Sequence, residues 1–189
     1  MYKKFGKRAI DIVLSGIALL ILWLPMLIVA IIVKCDSKGP VFFWQKRVGL
    51  HKETFMMPKF RSMYTETPAN MPTHLLEDPD QWITKAGRIL RKTSLDELPQ
   101  LFNILNGTMS IVGPRPMLDY QAPRCEGDEV LRFQVRPGMT GLAQAKGRNN
   151  ISWTERIQYD IEYVRNFSFW LDIKIIFGTV LMVFKHTGT

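Results

Sequence analysis

The apolar stretch at residues 12–33, IVLSGIALLILWLPMLIVAIIV, decides the fold class of this chain. It is apolar apart from Ser15, Gly16 and Pro25. Its 22 residues are enough for a helix to cross a bilayer, which takes about 20. The stretch therefore indicates a membrane segment, and the question is how that segment enters the bilayer.

Several interpretations of this stretch compete. A signal peptide fits poorly, because the run is long, Asp11 lies at its edge and no small-x-small cleavage site follows. A buried helix of a soluble protein is a further alternative. The two main candidates are a helix that spans the bilayer and a re-entrant hairpin that enters and leaves on one side.

Two features favour the hairpin. Pro25 lies in the middle of the run, where it removes a backbone hydrogen bond and bends a helix. Lys/Arg-rich flanks tend to stay on the cytoplasmic face, and a spanning helix would place one flank outside. The basic residues that flank the run are Lys3, Lys4, Lys7 and Arg8 before it and Lys34, Lys38, Lys46 and Arg47 after it.

The composition points to an anionic partner. The chain has 189 residues, a formal net charge of +8 and 47% hydrophobic residues, so it can form one packed domain with an attached segment. Its basic pI fits a nucleic acid, a phospholipid surface or a phosphorylated substrate. Cys35 and Cys125 match no metal-site spacing and no disulfide framework, which suggests a reducing compartment.

The rest of the chain predicts an α-rich α/β domain. Residues 41–45 and 54–57 are typical of short strands joined by a turn, and residues 67–80 are typical of a loop. Residues 82–90 predict a basic amphipathic helix whose apolar side carries Trp82, Ile83, Ala86, Ile89 and Leu90. Such a helix lies either on an anionic membrane surface or on a soluble core. Helices are also expected at residues 153–166 and 167–184.

The stretch at residues 93–107, TSLDELPQLFNILNG, places two carboxylates side by side in a basic chain. Leucine and phenylalanine residues at helical spacing predict an amphipathic helix that stops at Gly107. Pro99 must then fall in the first turn, which places Asp96 at or near the N-cap. A capping box from Ser94 to Glu97 is the alternative register.

The acidic pair has a structural and a chemical interpretation. Asp96 serves as an N-cap and Glu97 as a first-turn acid in the structural one. In the chemical one, the helix N-terminus and the nearby Arg88, Arg91 and Lys92 form a phosphate site. One carboxylate then acts as a nucleophile and the other holds Mg²⁺, which suits phosphoryl transfer through an acyl-phosphate on Asp96.

Several longer motifs occur together in a fixed order: KRAIDIVLSGIALL, PKFRSM, SLDELPQLFNIL, GPRPML, VRPGMTGLAQ and GRNNISW. In these motifs the chain resembles the bacterial sugar transferase family, the monotopic phosphoglycosyl transferases. The resemblance runs from about Lys3 to the C-terminus and is to the small catalytic-core form of the family.

The resemblance implies an enzyme, a sugar-1-phosphate transferase acting on substituted phosphate groups. It would move a phospho-sugar from a UDP-sugar, with an N-acetylated amino sugar expected, to undecaprenyl phosphate, and it would release UMP. The implied mechanism is ping-pong through a covalent phospho-sugar, in the first membrane step of glycoconjugate biosynthesis. The implied location is the bacterial inner membrane, with the catalytic domain on the cytoplasmic face.

The same resemblance assigns site residues. Asp96 is the expected nucleophile and Glu97 the expected Mg²⁺ ligand. The residues that match family positions around the phosphates and nucleotide are Lys59, Arg91, Arg115 and Arg148, together with Arg136 and Gln144. The fold implied is a re-entrant membrane helix-hairpin at residues 1–36, broken at Pro25, and a small cytoplasmic catalytic domain at residues 37–189 with amphipathic interfacial helices.

The sequence departs from the family pattern at three places. Leu24 stands where the family often has serine before the proline. Pro58 stands directly before Lys59, where it disturbs a strand ladder and puts the placement of Lys59 in question. Ala145-Lys146 replaces a more usual Val-Asn.

Two rival functions remain from other classes. A non-catalytic, basic peripheral membrane protein that binds anionic lipid would tolerate Asp96→Asn. A nucleic-acid-binding module would show strongly salt-dependent binding. The apolar N-terminus and the lack of a recognisable motif argue against nucleic acid as a partner, and membrane lipids, a UDP-sugar and undecaprenyl phosphate are the expected partners.

Overall fold

A computed structural model describes residues 2–68, 78–147 and 151–184. The chain divides into two compact units. The first comprises Met1–Leu19, Lys46–Met57 and Gln100–Thr189, and the second comprises Leu20–Gln45 and Pro58–Pro99. Most of the loop predicted at residues 67–80, and the candidate residue Arg148, lie outside the described residues.

Helix α1, Lys7–Asp36, follows a π-helical turn at Tyr2–Gly6 and continues through Pro25. Its mean hydropathy is 2.9 over its most apolar window, and only 17% of that window is buried against protein. By length and composition it can cross a membrane, and it is the one such helix in the described part of the chain. The apolar side chains with more than half of their surface exposed include Val13, Leu20, Ile21, Trp23, Ile28 and Ile31.

The predicted membrane segment is therefore a helix, and the hairpin shape stays a prediction. The helix fits a membrane anchor, because apolar side chains exposed on this scale are costly in water.

The first turns of α1 are held by polar contacts within the first unit. The guanidinium of Arg8 donates to the carbonyl oxygens of Ile104 and Leu105. The buried carboxylate of Asp11 accepts the backbone N–H of Ile111 at 3.1 Å. Lys7 forms an ion pair with Asp172 at 2.6 Å. Charged residues near the start of an apolar helix thus anchor it to the rest of the chain.

The last turn of α1 is held within the second unit by Arg61, which is 5% exposed. Its guanidinium donates to the carbonyl oxygens of Val33, Ser37 and Pro40 at 3.3, 2.9 and 2.6 Å. The last carbonyls of a helix have no partner inside the helix, and a cation there also complements the helix dipole. Arg61 therefore provides the C-terminal cap of the apolar helix.

The five described strands form two small sheets. In the three-stranded sheet the order is β2 (Thr54–Phe60), β1 (Phe42–Val48) and β4 (Met117–Leu118), and β1 pairs with β4 in antiparallel register. In the two-stranded sheet β3 (Ser110–Val112) lies parallel to β5 (Gly138–Thr140). Strand β2 continues through Pro58, which an edge strand tolerates because one side of it needs no ladder bonds.

The core of the first unit has two clusters of buried residues. One joins Val48 and Met117 to Phe133 and Ile157, and the other is built around Val112 and Tyr163. Helices α4 (Leu142–Gly147), α5 (Trp153–Asn166) and α6 (Phe169–Phe184) supply much of this packing. The predicted helix at 153–166 is confirmed, and Ser152 and Glu155 form a capping box at its start.

In the second unit, the basic helix predicted at residues 82–90 is α2, Lys85–Thr93. The side chain of Thr84 caps its start by accepting the N–H of Gly87. Ile89 is on the predicted apolar side, but it is 65% exposed and does not pack against the protein. Trp82 and Ile83 lie before the first residue of α2. The alternative that the apolar side lies on a membrane surface stays a prediction. The buried residues of the helix are Ala86, Gly87 and Leu90. Ile89 lies on the exposed face of the helix together with Lys85 and Arg88.

Candidate active site

The acidic pair lies in a 3-10 helix, Leu95–Gln100, that comes directly after α2. Ser94 separates the two helices in a left-handed conformation, with φ 58°, and its carbonyl oxygen accepts the N–H of Glu97 at 3.2 Å. The side chain of Asp96 is almost fully buried, with 8% of the residue exposed. Such burial would be unusual for an acid that only capped a surface helix.

The local structure differs in detail from the predicted amphipathic helix. Asp96 lies in the first turn of a 3-10 segment rather than at the N-cap of one α-helix. The regular α-helix, α3, begins only at Leu101 and ends at Asn106, with Gly107 as its left-handed cap. Pro99 explains the change, since it has no N–H to donate in the first turns. The predicted stop at Gly107 is confirmed.

Glu97 forms an ion pair with Lys59. Lys59 Nζ lies 2.8 Å from Glu97 Oε1, and the two side chains are 16% and 17% exposed. Lys59 comes from strand β2 directly after Pro58, so the proline does not displace it from the acidic pair. The structure therefore brings together two of the predicted site residues across 38 positions of sequence.

Arg91, in the last turn of α2, belongs to the same cluster. Burial lowers the pKa of its guanidinium below the ordinary value, and the nearby carboxylate of Asp96 opposes that shift. The Nε–H of Arg91 donates to the hydroxyl of Ser62 at 3.0 Å. Within the second unit the cluster thus combines two adjacent carboxylates with a lysine and an arginine, which is a composition suited to binding and attacking a phosphate.

Arg115 lies in the first unit, between Pro114 and Pro116. Its carbonyl oxygen accepts the Nη2–H of the buried Arg132 at 2.8 Å, and Arg132 in turn forms a buried ion pair with Asp160 at 2.8 Å. The prolines and this contact together fix the backbone of Arg115. Its expected part in substrate binding stays a prediction.

Arg136 and Gln144 have different surroundings. The Nε–H of Arg136 donates to the carbonyl oxygen of Gly107 at 2.7 Å, so this side chain holds the C-terminal end of α3. The amide nitrogen and oxygen of Gln144 are buried without a hydrogen-bond partner in the described part of the chain. Arg148, the other candidate in this region, lies outside the described residues.

The buried Asp160 predicts a measurable pH dependence of stability. Burial raises its pKa from 3.8 to about 6, and Arg132 opposes the rise without cancelling it. The folded protein therefore binds an extra proton between about pH 4 and 6, and the free energy of unfolding falls as the pH rises through this window. We expect Asp160→Asn to flatten this part of the pH profile by about 2 to 3 kcal/mol.

The measurement is thermal or denaturant unfolding between pH 4 and 7. Asp128→Asn is the matched control, because Asp128 is an exposed aspartate paired with Arg165 at the surface. That control should keep the wild-type slope. An Asp160→Asn variant with the same slope as the wild type would contradict the expectation.

Sequence reasoning missed several residues that shape the site. Ser62 lies inside the quoted motif PKFRSM, but nothing in the pattern indicated its contact with Arg91. Arg8 was named only in a basic flank and Arg61 only inside the motif PKFRSM, although each holds the end of a helix. The sequence pattern carried no signal for these contacts.

The donor atoms of the acidic pair fit Mg²⁺. Carboxylate oxygens are the ligands that this ion prefers, and it usually takes one or two of them plus substrate phosphates and water. The described residues contain no group of three or more His, Cys, Asp or Glu side chains that could hold a metal by themselves. Glu97, the expected ligand, would therefore hold the ion together with the phosphates of a substrate.

A helix that is long and apolar enough to cross a membrane fits a membrane-associated protein. The buried Asp96 and its neighbour Glu97, with their basic partners, form a site suited to an anionic substrate. Comparison with known proteins gives the family. The chain belongs to the bacterial sugar transferase family, whose model matches residues 2–186.

Three relatives illustrate the similarity. The chain is 39% identical to the UDP-galactose-lipid carrier transferase of Erwinia amylovora, with 98% of this chain and 42% of the relative aligned. It is 40% identical to the undecaprenyl-phosphate galactose phosphotransferase of Salmonella typhimurium, with the same two coverages. It is 42% identical to the sugar transferase EpsL of Bacillus subtilis, over 96% of this chain and 89% of the relative. The chain thus spans about two fifths of the length of the first two.

Proposed function

We propose that this protein is a membrane-anchored phosphoglycosyl transferase that moves a sugar-1-phosphate from a UDP-sugar to undecaprenyl phosphate. The observation that carries the proposal is the buried Asp96 beside Glu97, with Arg91 and Lys59 from two other segments of the same unit. Membership of the family supports it, as do the names of two relatives, which refer to a lipid carrier and to undecaprenyl phosphate.

In the first half-reaction, a carboxylate oxygen of Asp96 attacks the sugar-bearing phosphorus of the donor. The bond from that phosphorus to the bridging oxygen breaks, and UMP leaves with the electron pair. A phospho-sugar then remains as an acyl-phosphate on Asp96. Arg91 stabilises the negative charge that develops on the phosphoryl oxygens, since a fixed guanidinium does so without reorganisation.

In the second half-reaction, an oxygen of undecaprenyl phosphate attacks the same phosphorus. The Asp96–phosphorus bond breaks, and the carboxylate is regenerated. The product is a lipid-linked diphosphate sugar, so the order is ping-pong. Lys59 keeps Glu97 in position through their ion pair in both half-reactions.

Glu97, with the donor diphosphate, would hold Mg²⁺, which supplies positive charge that lowers the repulsion between Asp96 and the diphosphate. The ammonium of Lys59 donates to one oxygen of Glu97, so Lys59 and Mg²⁺ would both contact this carboxylate.

The re-entrant topology of α1 is part of the proposal. Hydrogen bonds to residues outside the helix hold its first turns through Arg8 and Asp11 and its last turn through Arg61. The basic flanks and Pro25 support both ends lying on the cytoplasmic face of the inner membrane. The exposed face of α2, with Ile89 between cations, would then lie at the interface.

The proposal also covers the donor sugar and the pathway. An N-acetylated amino sugar is the expected donor sugar, in the first membrane step of glycoconjugate synthesis. Galactose appears in the names of two relatives, so a donor panel has to contain UDP-galactose and UDP-glucose beside the amino sugars.

The test is the intact mass of the purified protein after incubation with Mg²⁺ and each UDP-sugar, in detergent and without lipid. A mass gain of one phospho-sugar together with released UMP is the expected result, and it identifies the sugar. Adding undecaprenyl phosphate should then discharge the adduct. A protein that binds anionic lipid but gives no UMP with any donor, with or without undecaprenyl phosphate, would instead fit the non-catalytic alternative.

A further inference from the structure

Ser62 contacts both ends of helix α2 from one position. Its carbonyl oxygen accepts the N–H of Thr84, the residue that caps the start of α2, at 3.1 Å. Its hydroxyl accepts the Nε–H of Arg91, in the last turn, at 3.0 Å. Ser62 is itself buried, with 9% exposed, so water competes little for these two bonds.

Gly87 allows this close contact. A Cβ atom at this position would lie 2.0 Å from the carbonyl oxygen of Ser62, which no side chain permits. The backbone of α2 therefore lies directly on Ser62. Because the helix backbone contacts Ser62, the backbone of Arg91 is held at a fixed distance from the Ser62 hydroxyl.

We infer that Ser62 is a positioning residue for Arg91 and that it sets the plane of the guanidinium toward the donor diphosphate. A guanidinium binds an oxyanion best through two parallel N–H groups in a fixed fork. The Nε–H donates to Ser62, and the two terminal nitrogens form the fork that would bind the phosphoryl oxygens. This inference rests on the proposed function, because it gives Arg91 the donor diphosphate as its ligand.

Ser62 is expected to act through Arg91 rather than by contacting the substrate itself. Asp96 opposes the shift that burial causes in the pKa of Arg91, so the two groups interact electrostatically. The Ser62 hydroxyl affects the interaction between Arg91 and Asp96 through its hydrogen bond with Nε of Arg91. A lysine at position 91 has neither Nε nor a fork, so the benefit of the Ser62 hydroxyl should vanish in that background.

The experiment is a double-variant cycle with steady-state kinetics for donor and acceptor. In a ping-pong reaction, kcat/KM for the donor reports the first half-reaction, and kcat/KM for the lipid phosphate reports the second. We expect Ser62→Ala to lower kcat/KM for the UDP-sugar by about tenfold or more, and to change kcat/KM for undecaprenyl phosphate much less. Arg91→Lys with Ser62→Ala should be no slower than Arg91→Lys alone.

Thr93→Ala is the matched control. It also removes a hydroxyl from the last turn of α2, but this hydroxyl is exposed and, among the described residues, bonds only to carbonyls of its own helix. Its kinetics should match the wild type. If Ser62→Ala yields little folded protein, Ser62→Cys keeps the volume with a weak acceptor, and the same expectations apply.

Two outcomes would overturn the inference. In the first, an active wild type and a Ser62→Ala variant have equal kcat/KM for the donor. In the second, Ser62→Ala slows the wild type and the Arg91→Lys protein by the same factor, which would indicate a general structural effect. A wild type that forms no adduct and releases no UMP contradicts the proposed function itself and is recognised before any variant is compared.

Discussion

Asp96→Asn is expected to abolish both the covalent phospho-sugar and the release of UMP. The amide has nearly the same shape as the carboxylate but is not a nucleophile toward phosphorus, so the residual rate should fall by at least about a thousandfold. The measurement is the intact mass together with UMP release, with the donor that labels the wild type. The buried position of Asp96 makes the choice of an isosteric variant important, since a smaller residue would leave a cavity.

Asp119→Asn is the matched control for this substitution. Asp119 is an exposed aspartate whose side chain accepts the N–H of Tyr120, so its loss should leave labelling and turnover unchanged. Turnover that survives Asp96→Asn would mean that the nucleophile is another group. Turnover lost in both variants would point to damage that does not depend on the site.

Gly87→Ala is expected to have the second largest effect, on stability and on transfer together. The new methyl carbon would lie 2.0 Å from the Ser62 carbonyl oxygen and 2.6 Å from its carbonyl carbon. These are backbone atoms, so α2 has to move away and Arg91 moves with it. We expect a cost of about 2 to 3 kcal/mol in the free energy of unfolding and a rate lowered by at least about a hundredfold.

Gly178→Ala provides the comparison, because it makes the same change inside a helix with space around it. Its new Cβ would lie 3.4 Å from the Cβ of Ala145, an ordinary contact. Alanine has a higher helix propensity than glycine, so this variant should match or slightly exceed the wild type in thermal midpoint. The two midpoints are measured in the same detergent. A Gly87→Ala protein that is as stable and active as Gly178→Ala would contradict the close contact with Ser62.

Local features of the fold could be predicted from the sequence. The helix at 153–166 and the stop of α3 at Gly107 depend on short-range signals, a capping serine and a glycine with positive φ. The segment around Pro99 was harder to predict, because periodicity cannot tell a 3-10 turn from the first turn of an α-helix. The exposed Ile89 could not be predicted for a different reason. The spacing of apolar residues along a helix does not tell whether one of them packs in a core or lies at the surface.

The candidate site was predicted as a list of residues but not as an arrangement. Motif order led to Asp96, Glu97, Lys59 and Arg91, and the structure places these in one unit. The supporting contact of Arg91 depends on a segment far away in sequence, since Ser62 precedes α2 by more than 20 residues. Such contacts follow from packing, and a single sequence carries no signal for them.

The carboxylate of Asp36, the last residue of α1, accepts the N–H of Ala86 in the first turn of α2 at 3.1 Å. The apolar helix α1 and the helix that carries Arg91 are therefore joined by a hydrogen bond. A helix in a bilayer adjusts its depth and tilt to the hydrocarbon thickness. If α1 enters the bilayer as proposed, acyl-chain length would therefore affect the position of Arg91, and a detergent micelle does not reproduce this variable.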